Sequence, residues 1–292
     1  EGFRPGVMEK LQIGPSDCHE ELIYGRMTGW GQSGMLSKTA GHDINYLGIT
    51  GALHAIGNRE KPIPPLNLVA DYGGGSMFLI FGILAALYER ALSGKGQTID
   101  AAMVDGVPAM MGLFHQQIAK GSWTDGERQS NLLDGGAPFY RCYECSDGKF
   151  ISVGALEPQF FAELVEIVKL PEIDLVTQND RTTWAEKNKV YEKIFKSKSR
   201  DEWSKIFEGT DACVTPILTL EEAKKYPANL EREVFFERDG IIQASPAPRF
   251  GRTPSPKPGR IRGIGSNSEE ILKEIGLDQQ EIDELKNSNV LT

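Results

Sequence analysis

An α/β protein in two blocks is what this sequence predicts, on three observations. Branched and aromatic runs of strand length alternate with apolar runs of helical length through the first 120 residues. A polar stretch at 121–137 containing Gly121, Gly126, Gly135 and Gly136 interrupts that alternation and reads as a connection between domains. Beyond it lies a compact α+β block, followed by a crossing at 246–258 with prolines at 246, 248, 254, 256 and 258, which must be extended. The boundaries drawn are 1–120 for a large domain, 121–137 for a linker, 138–228 for a small α+β domain, and 229–292 for a second linker and return to the large domain.

The elements follow in order. Residues 22–28 (LIYGRMT) predict a strand ended by Gly29-Trp30-Gly31, and 42–55 is apolar and predicts a helix. Pro62, Pro64 and Pro65 close a loop, after which Asp71 stands just before Gly73-Gly74-Gly75-Ser76 and 77–91 reads as an uninterrupted helix. A turn at Gly94-Lys95-Gly96 leads into a buried strand at 98–103, and 107–120 predicts a further helix. In the second block two strands, 140–144 and 149–153, flank the hairpin signature Ser146-Asp147-Gly148. Helices are expected near 158–169, 181–196, 200–208 and 220–225, with a strand at 212–218. An amphipathic helical pair broken at Gly276 spans 266–286.

Composition excludes several function classes. The chain has 292 residues, enough for a sizeable core, and a net charge of −9 that argues against a general nucleic-acid partner. The longest apolar run, 77–87, is too short for a membrane span, so a soluble, cytoplasmic protein with no membrane partner is expected. Of the four cysteines only Cys142 and Cys145 have CxxC spacing, and with no second pair they read as reduced structural thiols rather than metal ligands. The opening Glu1-Gly2-Phe3-Arg4-Pro5-Gly6 reads as the middle of a domain.

The chemistry concentrates in AGHDINY around His42, PPLNLVADYGGGS around Asp71, LLDGGAPFY ending at Tyr140, and VGALEPQF around Glu157. These supply one imidazole and two carboxylates, a set suited to moving protons. Each alone has a plainer reading: Asp43, Asp71 and Glu157 could cap helices, and His42 could simply pack. The glycine run before a helix would leave N–H groups free at its positive end, ready for a developing oxyanion. Gly263-Ile264-Gly265 hints at nucleotide binding, but no apolar strand runs into it.

The ordered set EGFRPG, RMTGWGQSG, AGHDINYLGITGAL, PPLNLVADYGGGSM, SGKGQTIDAAMVDG, NLLDGGAPFY and VGALEPQF resembles the α-methylacyl-CoA racemases of the family III CoA-transferase superfamily. The resemblance continues through DACVTPIL to ILKEIGLDQQEIDEL. It implies a Rossmann-like large domain, whose opening βαβ portion would lie upstream of residue 1. A smaller α+β domain would be joined by long linkers in an interlocked homodimer. It implies interconversion of (R)- and (S)-2-methylacyl-CoA through an enolate, with His42 and Asp71 on opposite faces of the α-carbon and Glu157 pairing with His42 across the subunit interface. Arg4 and Lys10 would hold coenzyme A, Asp43 would line its pocket, and Tyr140 would stand near the thioester. No cofactor is implied beyond the coenzyme A that the substrate carries. Met103, Met110 and Met111 could offer the acyl chain a soft surface or serve as core. Two other readings stay open: a family III CoA-transferase with Asp71 as nucleophile, and an acyl-CoA-binding relative without activity.

Overall fold

A computed structural model describes residues 3–291. It divides into two compact units, one ending at Ile217 and one starting at Leu218.

The first unit opens on two parallel strands, β1 (Tyr24–Thr28) and β2 (Thr98–Ala102), in register from Tyr24 opposite Thr98 to Thr28 opposite Ala102. The expected helix over 42–55 is two short ones, Asp43–Ile49 and Ala52–Ala55, because Gly51 takes a left-handed φ of 83° between them. The helix expected at 77–91 starts earlier. Leu68–Met77 is a π-helix, with its wider i→i+5 hydrogen bonding, and it continues directly as the α-helix Phe78–Ser93. Asp71 and the three glycines after it therefore lie inside the helix, not ahead of it. Their position corrects the expectation of free glycine N–H groups at its start, since those N–H groups are taken up by the wide turn.

The glycines serve a different purpose. The helix Met103–Met110 crosses the π-helix backbone to backbone: a Cβ on Gly106 would lie 1.9 Å from the Gly74 carbonyl oxygen, and one on Gly74 would lie 2.9 Å from the Val107 nitrogen. Met103 is fully buried against Gly75, whereas Met110 lies over Gly73 and is partly exposed. The helix expected at 107–120 is thus split at Met111 into Met103–Met110 and Gly112–Ala119.

Taken as one helix, Leu68–Ser93 has 26 residues, longer than the apolar run read from the sequence, and passes for a membrane span by length and composition only. One side packs on the parallel strands, Leu79 and Ile83 beside Gly25 and Gly82 beside Ile99. The other side exposes Phe81, Leu84, Tyr88 and Leu92.

Residues 137–214 build a second core around the antiparallel sheet β3 (Tyr140–Glu144), β4 (Phe150–Gly154) and β5 (Val214–Pro216). Tyr143, Ile151, Val153 and Val214 fill its inner face by the two-residue alternation of strands. Phe161, Leu164, Val165 and Val168 form one apolar stripe of the helix Pro158–Val168 and close over them. Ser199 caps the helix Arg200–Phe207, and Trp203 Nε1–H donates to the Phe195 carbonyl at 2.8 Å. The glycine-rich stretch before this core is folded tightly. Asn131 is fully buried, its N–H donates to Asp134 Oδ1 at 2.8 Å, and Arg181 donates to the Ser130 carbonyl at 2.7 Å.

The second unit holds a hairpin, β6 (Phe235–Arg238) and β7 (Ile241–Ala244), joined by Asp239 and Gly240, both at positive φ. The proline segment follows without regular structure, and the helices Ser268–Glu274 and Gln279–Asn287 flank Gly276 as expected.

Candidate active site

His42 sits just before the first turn of the helix Asp43–Ile49, in extended backbone with φ −137° and ψ 173°, and its N–H donates to Asn45 Oδ1 at 3.0 Å. Its ring is exposed and, among the described residues, makes no hydrogen bond or ion pair. It opens onto a cavity of about 510 Å³ whose lining includes Arg4, Thr28, Trp30, Thr39 and Tyr46. The wall is rigid. Trp30 meets Tyr46 edge to face at 4.7 Å, and Tyr46 Oη–H donates to the Gly41 carbonyl at 2.5 Å. Gly29 makes room for this ring, because a Cβ there would come within 1.9 Å of Tyr46.

Asp71 lies in the first turns of the π-helix, half-buried. Its Oδ2 accepts from Asn67 Nδ2 at 3.2 Å, while its Oδ1 is buried with no partner among the described residues. Its own N–H and that of Ala70 both donate to Asp43 Oδ2, each at 2.9 Å. Two residues 29 positions apart in sequence, His42 and Asp71, are therefore linked through the residue that follows the histidine. Each keeps unspent hydrogen-bonding capacity, as a pair of proton carriers requires.

The other expected residues divide between places. Arg4 is brought to the His42 cavity, whereas Lys10 is exposed at the end of the helix Val7–Lys10 and does not line it. Asp43 is only 6% exposed, with its carboxylate on the Ala70 and Asp71 N–H groups. Tyr140 lines a separate cavity of about 610 Å³, together with Cys142, Ser152, Cys213 and Thr215. Glu157 precedes the helix Pro158–Val168, exposed and without a side-chain hydrogen bond or ion pair among the described residues. Its negative charge acts instead on Cys213, whose thiol is pushed up first by burial and then by Glu157. Within this chain, then, Arg4 and His42 share one cavity and Asp43 ties the residue after His42 to the Asp71 backbone, whereas Tyr140 lines another cavity and Glu157 lines neither.

Sequence reasoning missed the Trp30–Tyr46 wall and Asn67. The signal for Asn67 was its place four residues before Asp71, a spacing that matters only once Asn67 is known to stand at the cap of the helix that carries Asp71.

A model of CoA-transferase family III matches residues 1–263. The chain is 45% identical to mouse and 44% identical to human alpha-methylacyl-CoA racemase, each alignment covering 100% of this chain and 78% of the relative. Human succinyl-CoA:glutarate CoA-transferase is 26% identical, with 100% of this chain and 69% of that protein covered. The crystal structure of a CAIB/BAIF family protein from Brucella suis superposes with a TM-score of 0.76 at 20% identity, covering 94% of this chain and 74% of that one, and shares the fold. The chain belongs to CoA-transferase family III, and its full-length likeness at 44–45% identity is to isomerases of that family.

Proposed function

We propose that this protein is a 2-methylacyl-CoA racemase in which His42 and Asp71 are the two acid/base groups. The observation that carries the reading is the link from Asp43, the residue after the cavity-lining His42, to the backbone N–H of Asp71, whose carboxylate keeps one oxygen without a partner among the described residues. One base takes the α-proton of the thioester and leaves the electron pair as an enolate. The other delivers a proton to the opposite face, so configuration inverts and no bond but the α C–H is broken and remade. Each positioned acid or base is worth about 10²–10⁴-fold. Arg4 at the cavity supplies positive charge for coenzyme A phosphates, and no further cofactor takes part.

A homodimer belongs to the proposal, with Glu157 of a second copy orienting the His42 ring. Supporting this are the exposed, unpaired Glu157 and the exposed apolar side of the long helix.

The test is incubation with (R)-2-methylacyl-CoA in deuterium oxide, following the α-proton by NMR and configuration by chiral analysis. Deuterium uptake with growth of the S isomer is expected, falling by about 10²-fold or more in His42→Ala and Asp71→Asn. An α-proton that stays in place, with hydroxylamine trapping a thioester on Asp71 when a carboxylate acceptor is supplied, would make the protein a transferase instead.

A further inference from the structure

Asp43 is bound to both halves of the candidate pair. It follows His42 in the chain, and its Oδ2 accepts the N–H groups of Ala70 and Asp71 at 2.9 Å each. The carboxylate is 6% exposed, and its second oxygen, Oδ1, is buried with no partner among the described residues. Burying a carboxylate is costly unless it is paired, and the two N–H bonds offset that cost at one of its two oxygens.

Those N–H groups are a particular pair. The helix begins at Leu68, so Ala70 and Asp71 belong to its first turn, where backbone donors have no partner within the helix and negative charge is favoured. The local candidate for capping, Asn67, makes no cap hydrogen bond and donates instead to the Asp71 carboxylate. The cap therefore comes from Asp43, 27 residues before Ala70, and it joins the residue after His42 to the Asp71 backbone.

On the racemase reading above, we propose that Asp43 is the positioning residue that holds Asp71 opposite His42 across the substrate α-carbon. It touches neither the reacting carbon nor the proton. Its work is to make two bases on different elements act as one pair.

The proposal separates two events that a racemase normally couples. Removal and return of the α-proton by His42 on one face gives deuterium uptake with retention, whereas inversion also needs Asp71 in place on the other face. Both enantiomers are incubated in deuterium oxide with wild type, Asp43→Ala and Asp43→Asn, and exchange and inversion are measured separately. In Asp43→Ala, exchange from the enantiomer presented to His42 stays within a few-fold while inversion falls by about 10²-fold, the penalty of a misplacement near 1 Å. Asp43→Asn keeps a carbonyl oxygen with two lone pairs, so inversion returns to within about tenfold of wild type. Equal losses of exchange and inversion in Asp43→Ala, or a loss confined to KM, overturn the proposal. If Asp43→Ala does not fold, Asp43→Glu, which moves the oxygens out by one methylene, takes its place in the same comparison.

A wild-type protein that neither exchanges nor inverts would defeat the racemase reading rather than the tether. Amide hydrogen exchange then decides: protection of Ala70 and Asp71 N–H that is lost in Asp43→Ala and kept in Asp43→Asn supports it, and equal protection in all three overturns it.

Discussion

Cys145 lies fully buried just beyond β3, and burial pushes its thiol up to about 11. Cys142, one strand position from the buried Tyr143, and Cys213, beside Glu157, are also raised, in each case first by burial. A raised thiol stays protonated to higher pH, and only the thiolate attacks, so these groups are slow nucleophiles at neutral pH. Iodoacetamide labelling of the native protein, read by peptide mass spectrometry, is expected to leave Cys145 untouched at pH 8. Labelling of Cys142 and Cys213 should be slower than that of free cysteine and keep rising at pH values where free cysteine has levelled off. Because Glu157 contributes to the shift at Cys213, Glu157→Gln should speed labelling of Cys213 a few-fold and leave Cys142 unchanged. An unchanged Cys213 rate would mean that the two side chains are not neighbours in solution.

The contact that shapes the site at the level of elements is the crossing of Met103–Met110 over the π-helix. Gly106→Ala would drive a methyl group into the Gly74 carbonyl at 1.9 Å, where the obstacle is backbone and cannot rotate away. A loss of about 3 kcal/mol or more is expected in urea unfolding, with racemisation falling further than stability explains because Asp71 rides on the displaced helix. Gly112→Ala, where a Cβ would meet nothing within 4 Å, is the control and should gain up to about 1 kcal/mol. This crossing also marks where the sequence was legible. The β3–β4 hairpin and the helices Arg181–Phe195 and Arg200–Phe207 follow from local patterns, and the structure has them within a residue or two of expectation. The β6–β7 hairpin carried an Asp239-Gly240 turn signal that the sequence reading passed over. The start at Leu68 had one local signal, Asn67 at the cap position after Pro64 and Pro65, and its side chain makes no cap hydrogen bond. A wide turn has no 3.6-residue period, and the carboxylate that takes up its first N–H groups, Asp43, stands 27 residues before Ala70. The resemblance named His42 and Asp71 as candidates and Asp43 as a pocket wall, but the bonds from the Ala70 and Asp71 N–H groups to Asp43 were not legible, because they join segments 27 and 28 residues apart.

At the largest scale, much of one helix has no partner among the described residues. Within Leu68–Ser93, Met77, Phe81, Leu84, Tyr88 and Leu92 are each 60% exposed or more, and 17% of the most apolar window is buried. Scattered surface apolar residues are ordinary, but this set recurs on one side over four turns and forms a continuous patch of the kind that marks an interface. Length and composition alone would allow two environments to cover it, a lipid bilayer or another protein surface. Asp71 and Asn67 at one end, and glycines packed backbone to backbone against Met103–Met110, tie this helix into the mixed α/β layer of the first unit and favour protein. Equilibrium ultracentrifugation should therefore find a dimer at micromolar concentration, with a Tm that rises with protein concentration as mass action requires. Phe81→Glu with Leu84→Glu should shift the protein to monomer while the first unit keeps its near-ultraviolet circular dichroism, because both side chains point away from the strands. If the wild-type chain is instead monomeric in buffer and co-sediments with lipid vesicles, and the double variant abolishes that binding, the patch faces lipid and the dimer proposal falls.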